Sequence, residues 1–528
     1  MTNTKRNLTP EEIAARKEYR RKRKIIFPVS RISFVALLII SLVFYLVLNG
    51  FGVIPKKIMT IIGILLLIIN AVLGFFALYR KASNKRKLQQ SIISAVLSVL
   101  MAIGCIAMPV YKAKIQRIFN PIPVSDEVNM NLYVLDNSEY ASIEELAGAK
   151  IGVPSLLNEE SRNFAVAQIN KKLETNVEAV TCDTVYDAVE RLYNGTLAAI
   201  LINEDNISFI EENDDFKDFS SKVRQLFQCV HTIKLDYNTS NVDNITSTPF
   251  IVGILGNDEW TNESLSKTSG FRTDVNMVVV VNPNTMQVLL VSLPRDSYVA
   301  NNGDETKMDK LTHATAFWGI DGWKKTVNTL LDIEMNYTFK VNFSSFISII
   351  DGLGGIDIDN PYEMDITYVI VKNGKTIQTR HVYEAGKIHL TGEEALGYVR
   401  ERYSLPGGDL DRNKHQQIVL KALIDTVTDP SVISKINPLL KAMEGTYITD
   451  MKMDQIFALA KHTLDAFTNG AKGLGWKVMM SGLTGKSGSM YSMQTGQYLS
   501  MVELNEERLS EVKELIKKMM NNEKIVVD

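Results

Sequence analysis

Between Arg400 and Gln416 the chain reads RERYSLPGGDLDRNKHQ, which places Arg400, Arg402 and Arg412 close to Asp409, Asp411 and Gln416. Planar guanidinium forks are the side chains best matched to phosphate oxygens. Two readings fit such a run: a solvated charged face, or arginines converging on one anion. The second is favoured by the position of the Arg-x-Arg pair at a helix-to-loop break, where side chains from two helices can aim at one point. The simplest ligand for that arrangement is a diphosphate.

The flanking sequence supplies the elements that would position these groups. Thr391 stands three residues before Glu394, the spacing of a capping box, so a helix is predicted to start there and to carry Ala395, Leu396 and Val399 inward. Pro406-Gly407-Gly408 then turns the chain into a second helix, on which Arg412 and Gln416, four apart, share a face. Upstream, three apolar stretches read as strands: 250–255, 277–281 and 287–293, the last two joined by the hairpin-like turn Asn282-Pro283-Asn284-Thr285. Charged residues fall at the strand ends, where α/β folds carry their sites: Asp258 after the first strand, Arg272 and Asp274 before the second, Arg295 and Asp296 after the third. Alone, each aspartate is more often a cap or turn residue. Beside an arginine motif, Asp258 and Asp274 become candidate hard-oxygen ligands for Mg²⁺. No Ser-His-Asp or Cys-His constellation is apparent, and His313 reads as a packed or capping residue rather than a base.

The stretch YVRERYSLPGGDLDRNKHQQ resembles a signature of the LytR-CpsA-Psr (LCP) family of bacterial cell-envelope proteins. Further pieces match in the family's order: Gly256-Asn257-Asp258, Phe271-Arg272-Thr273-Asp274, Ser292-Leu293-Pro294-Arg295-Asp296, Lys310-Leu311-Thr312-His313-Ala314 and Ile350-Asp351-Gly352-Leu353-Gly354-Gly355. The resemblance implies a phosphotransferase that moves a teichoic-acid-like or capsular glycopolymer from a polyprenyl-diphosphate carrier onto peptidoglycan. On this resemblance Asp258 and Asp274 would hold the metal. Arg295, Arg400, Arg402, Arg412 and Gln416 would grip the diphosphate, with Asp409 or Asp411 orienting the arginines, and Arg272, Asp274, Arg295 and Asp296 would form the catalytic set. One departure is His415, where the family usually has arginine. Implied partners are the lipid-linked glycopolymer, peptidoglycan, the lipid bilayer and capsule or cell-wall assembly proteins. Rival readings are a hydrolase of the same diphosphate and a non-catalytic envelope sensor or regulator.

The 528-residue chain carries a net charge of −2, which argues against a general nucleic-acid binder. That balance hides a dense basic cluster at residues 5–24, followed by apolar runs at 32–48, 58–79 and 91–111, each near the ~20 residues needed to cross a bilayer. Arg80, Lys81, Lys85, Arg86 and Lys87 crowd the second connection, whereas the first holds only Lys56 and Lys57. The positive-inside rule then predicts a cytoplasmic N-terminus and an extracytoplasmic bulk after Tyr111. The expected domains are a basic tail (1–31), three transmembrane helices (32–111), an accessory lobe (126–235) and a catalytic domain with a C-terminal extension (248–528). The lobe resembles one lobe of the periplasmic solute-binding proteins, through SIEELAGAKIGVP and NGTLAAILIN. The fold class is therefore α/β: a small doubly wound lobe and a mixed-sheet catalytic domain with surrounding helices. The faces Trp323/Val327/Leu330/Leu331 and Phe343/Phe346/Ile347/Ile350 are candidates to line a lipid channel. The three cysteines fit free, partly buried thiols better than a disulfide framework or a zinc site.

Overall fold

The computed structural model describes residues 9–118, 125–155, 159–211, 213–234, 241–260, 265, 267, 269–372, 374–402, 404–405, 409–429, 431–469 and 475–527. They fall into two compact units, residues 1–117 with 453–475 and residues 118–452 with 476–528.

The first unit contains three helices long and apolar enough to cross a membrane: α1 (Pro10–Phe51), α2 (Lys56–Leu78) and α3, which starts at Asn84. Helix α1 begins far upstream of the apolar run at Ile32, because Thr9 and Glu12 form a reciprocal capping box and Pro10 occupies the first turn. The basic cluster is therefore helical from Pro10 onward, continuous with the span. Leu37, Leu66, Leu73 and Met101 form the seam between the helices, while Leu67 and Ile106 stay 72% and 70% exposed, an outward apolar surface suited to lipid. A Cβ at Gly74 would lie 2.6 Å from the Phe34 ring, so glycine allows the helices to approach there. Residues 453–475, expected within the catalytic domain, cluster with the spans.

In the second unit the accessory lobe is a five-stranded sheet of order β3-β2-β4-β1-β5, built from β1 (Ser125–Leu135), β2 (Lys150–Pro154), β3 (Glu178–Cys182), β4 (Ala199–Asn203) and β5 (Val223–Lys234). Strand β2 runs parallel to β3 and β4, whereas β1 is antiparallel to both β4 and β5, so the lobe is mixed. The helix expected within SIEELAGAKIGVP is a single 3₁₀ turn, Ile143–Leu146. Helices α4 (Glu159–Leu173) and α5 (Val185–Tyr193) cover the sheet.

The larger sheet has six strands in the order β16-β11-β6-β7-β8-β17. Its centre is the antiparallel meander β6 (Phe250–Asn257), β7 (Thr273–Asn282) and β8 (Gln287–Ser292). After the small ladder of β9 (Tyr298–Ala300) and β10 (Met308–Lys310), helix α6 (His313–Leu331) leads into β11 (Tyr337–Val341), parallel to β6. Helix α7 (Phe343–Gly352) follows, and then the pairs β12 (Ile356–Asn360) with β15 (Gly386–Leu390) and β13 (Met364–Lys372) with β14 (Lys375–Tyr383). Helices α8 (Gly392–Arg400) and α9 (Asp409–Val427) precede the edge strands β16 (Tyr447–Thr449) and β17 (Lys477–Gly482). The hairpin β18 (Gly485–Ser492) and β19 (Gln497–Leu504) and helix α10 (Glu506–Met520) close the chain.

The period of two along β7 sorts its side chains to opposite layers. Val278 and Val280 pack on Trp323, Val327 and Leu331 of α6 and on Val512, Ile516 and Met519 of α10. Met277 and Val279 face the other way, toward Leu420 and Ile424 of α9. The Trp323/Val327/Leu331 face is thus ordinary core, not channel lining; Trp323 is fully buried and its Nε1 donates to Asn276 Oδ1 at 2.7 Å. The lobe joins this domain through Phe209, whose ring meets Phe317 edge-on at 4.8 Å and His313 at 5.1 Å.

Candidate active site

The site starts from a fault in the β6–β7 ladder. Gly256 pairs with Val275 and Asn257 with Thr273, which leaves Asp274 as the extra residue of a β-bulge. Bulges re-aim side chains, and here the re-aimed group is a carboxylate. A Cβ on Gly256 would sit 2.9 Å from Val275 Cβ, so the close approach at the bulge requires glycine. The bulge is braced by Thr273, whose Oγ1 donates to Asn276 Oδ1 at 2.7 Å, while Asn276 Nδ2 donates to the Thr273 carbonyl at 3.0 Å.

From the end of β8, Arg295 Nη1 reaches Asp274 Oδ1 at 2.5 Å, and its Nε lies 3.7 Å from Asp296 Oδ2. Lys310 Nζ completes the chain with a 3.0 Å contact to Asp296 Oδ1. All four side chains are about one-fifth exposed, which screens them less than surface pairs. Asp258 remains open to solvent on one side. Even so, crowding by protein and the negative charge of Asp274 push its pKa above the usual carboxylate value, while Arg272 pulls it the other way. Arg400, at the C-terminal end of α8, is likewise exposed at the rim. Partial desolvation lowers its pKa, opposed by Asp274 and Asp258. Its guanidinium stands 4.4 Å over the Phe343 ring and donates to the Val369 carbonyl at 3.1 Å.

Of these charged groups Asp274 lines an apolar cavity of about 120 Å³, and Arg400 stands over Phe343 of its wall. Its polar end is formed by Asn257, Asp274 and Gln416, and its walls by Phe343, Phe346 and Ile350 of α7, Leu396 and Val399 of α8, and Val419 and Leu423 of α9. Phe343, Phe346 and Ile350, expected as channel lining, face this space; Ile347 packs in the adjoining core.

The two motif helices form as their sequence requires. Thr391 caps α8, donating its backbone N–H to Glu394 Oε2 at 2.8 Å, and Ala395, Leu396 and Val399 are buried. On α9, Arg412 and Gln416 are buried, while Gln417 donates to the carbonyls of Leu290 and Ser481, tying the helix to β8 and β17. His415 points elsewhere. It stacks on Tyr398 at 4.2 Å and lies 3.3 Å from Tyr362 Oη, and burial lowers its pKa. It therefore serves as packing rather than as a replacement for a phosphate-binding cation.

Asp258, Arg272, Asp274, Arg295, Asp296 and Arg400 thus share one cluster, and Gln416 reaches the same cavity. Arg402 lies half-buried in the segment after α8. Asp411 pairs with Lys414 at 2.9 Å. The turn Pro406-Gly407-Gly408 and the side chain of Asp409 lie outside the described residues. Lys310, named in a sequence motif but given no role, joins the site, as do Asn276 and Phe209, which no motif singles out; Phe209 sits 5.4 Å beneath the Arg272 guanidinium, a contact from the accessory lobe that no local motif announces.

Residues 221–511 match the model of the LytR_cpsA_psr family, more than half of the chain. The chain belongs to this family. LCP relatives include a Bacillus cereus polyisoprenyl-teichoic acid–peptidoglycan teichoic acid transferase TagU, 31% identical over 48% of this chain and 77% of its own length. An Enterococcus faecalis protein of the same name is 30% identical over 58% of this chain and 89% of its own. Among solved structures, the crystal structure of B. subtilis TagV is similar at 26% identity, with a TM-score of 0.42 over 52% of this chain and 98% of that one.

Proposed function

We propose that this LCP protein is a membrane-anchored phosphotransferase. It would transfer a glycopolymer of teichoic-acid or capsular type from a polyprenyl-diphosphate carrier to a hydroxyl of peptidoglycan. The observation that carries the reading is the cluster of Asp258, Arg295 and Arg400 around Asp274, which itself lines a cavity walled by α7, α8 and α9. An apolar tail and a multiply charged head are the two halves of one class of molecule, a lipid diphosphate. The TagU relatives are named for the same donor and acceptor classes, which supports the assignment.

In this reading Arg295 and Arg400, with Arg402, Arg412 and Gln416, hold the diphosphate oxygens in place and offset the charge that builds as the linkage breaks. Asp274, Asp296 and Lys310 fix the Arg295 fork, and Arg272 balances Asp258. The glycan hydroxyl oxygen attacks the sugar-side phosphorus, the phosphoanhydride bond to the distal phosphate breaks, and a phosphodiester forms as polyprenyl monophosphate departs and the hydroxyl proton passes to solvent. Two mutually repelling carboxylates, Asp258 and Asp274, fit a divalent cation, and they are the residues that would hold Mg²⁺. Mg²⁺ keeps several of its waters and is commonly bound through one or two carboxylates. When bound, Mg²⁺ supplies positive charge to the diphosphate.

The loop charges support a cytoplasmic α2–α3 connection, with its basic residues, and an extracytoplasmic bulk from residue 112 to 528. The deciding experiment incubates the purified full chain with a polyprenyl-diphosphate glycopolymer and peptidoglycan. Phosphodiester-linked product is expected; release of free glycopolymer phosphate alone would mark a hydrolase, and no turnover a non-catalytic sensor.

A further inference from the structure

The Met453–Thr468 helix interrupts the catalytic sheet. The chain leaves β16 at one sheet edge, forms this helix within the membrane unit, and returns to β17 at the other edge. Its contacts lie at the turn between the first two spans. Lys56 N donates to Asp465 Oδ1 at 3.1 Å, Lys57 Nζ donates to the Thr468 carbonyl at 2.9 Å, and the rings of Phe51 and Phe457 are 6.2 Å apart. That turn is where α1 ends and α2 begins, hence the edge of the bilayer.

The helix is amphipathic. Met453, Ile456, Phe457, Ala460, Leu464 and Phe467 follow helical spacing along one side, while Asp454, Lys461, His462 and Asp465 occupy the other. An amphipathic helix in a soluble domain buries its stripe, yet none of this helix's residues is buried, and Phe467 is 41% exposed. At 16 residues with four ionisable groups, it is also too short and too polar to span.

We infer that this helix lies in the headgroup layer of the bilayer, its apolar stripe toward the acyl chains, as a second membrane contact beyond the three spans. The occupant of the stripe is lipid rather than protein because the helix is seated at the span ends, with Phe457 of the stripe against Phe51 at the end of α1 and Phe467 exposed. The inference rests on α1–α3 crossing the membrane and holds for either orientation.

The test uses the full chain with Cys105, Cys182 and Cys229 replaced by alanine, in vesicles of phosphatidylglycerol and phosphatidylethanolamine. A nitroxide is placed in turn at Phe467→Cys, Asp454→Cys and, within α2, Leu67→Cys. Position 467 should be more accessible to oxygen than to a water-soluble nickel chelate, at a shallower depth than 67, and position 454 should show the reverse preference. If 467 behaves like 454, or is shielded from both reagents as in a protein–protein contact, the inference falls. If position 67 is itself outside lipid, the failure belongs to the spans and is recognised as such.

Discussion

The site is a balance of opposite charges: Arg295 is anchored by Asp274 and Asp296, whereas Arg400 stands at the rim over Phe343. Replacing Arg400 or Arg412 with alanine should remove a charge-assisted contact worth roughly 1.5–3 kcal/mol, hence a loss of about ten- to a hundredfold in affinity for a polyprenyl-diphosphate analogue. Lysine should rescue only in part, because a point charge does not reproduce a bidentate fork. Titration calorimetry checks both expectations, and undiminished binding across the alanine series would leave the transferase without a diphosphate site. Asp258 carries a second prediction. Its folded pKa is raised by partial desolvation and by Asp274, so its ionised form is lost on acidification earlier than for an ordinary aspartate. In the Mg²⁺-free chain the Asp258 carboxyl, followed by NMR, should therefore titrate above the usual carboxylate value of about 3.9, and Asp274→Asn should move that titration downward by removing the repelling charge. An unmoved titration would mean that the two carboxylates do not share a site.

Elements position these residues, and here local and long-range information part company. The capping box at Thr391, the inward face of α8 and the Arg412/Gln416 spacing were legible because each depends on a few neighbours along the chain. The bulge at Asp274 was not, since it exists only in the register between β6 and β7. For the same reason the Trp323 and Phe343 helical faces looked alike as sequence, and only the sheet between them decides that one is core and the other cavity wall. The bulge yields a test of its own. Gly256→Ala would bring a methyl group against Val275 and should cost about 1–3 kcal/mol through overpacking, with a fall in activity as Asp274 shifts. Adding Val275→Ala should restore much of that activity. A double variant no better than the single one, measured by product formation and thermal unfolding, would separate the bulge from the chemistry.

For the whole molecule, the three apolar helices and the mixed α/β character could be read from hydropathy and strand pattern. The membership of residues 453–475 in the membrane unit could not, because it follows from contacts with Phe51, Lys56 and Lys57, some four hundred positions away. Orientation is open to direct measurement. In intact cells, a membrane-impermeant maleimide should label a cysteine placed at the exposed Lys375 and leave one at the exposed Lys81 unmodified. The opposite pattern would overturn the extracytoplasmic placement.

The route of the chain from β16 to β17 also bears on how the protein can be handled. Cutting after α3 is the natural way to obtain a soluble fragment, yet the cut removes Phe51, Lys56 and Lys57 while retaining the helix they hold. Such a fragment would carry a loose, sticky hydrophobic strip in the chain between its two edge strands, and it would self-associate or collect detergent. Replacing residues 453–475 with a short flexible bridge, rather than trimming the N-terminus further, is the change that should make it well behaved.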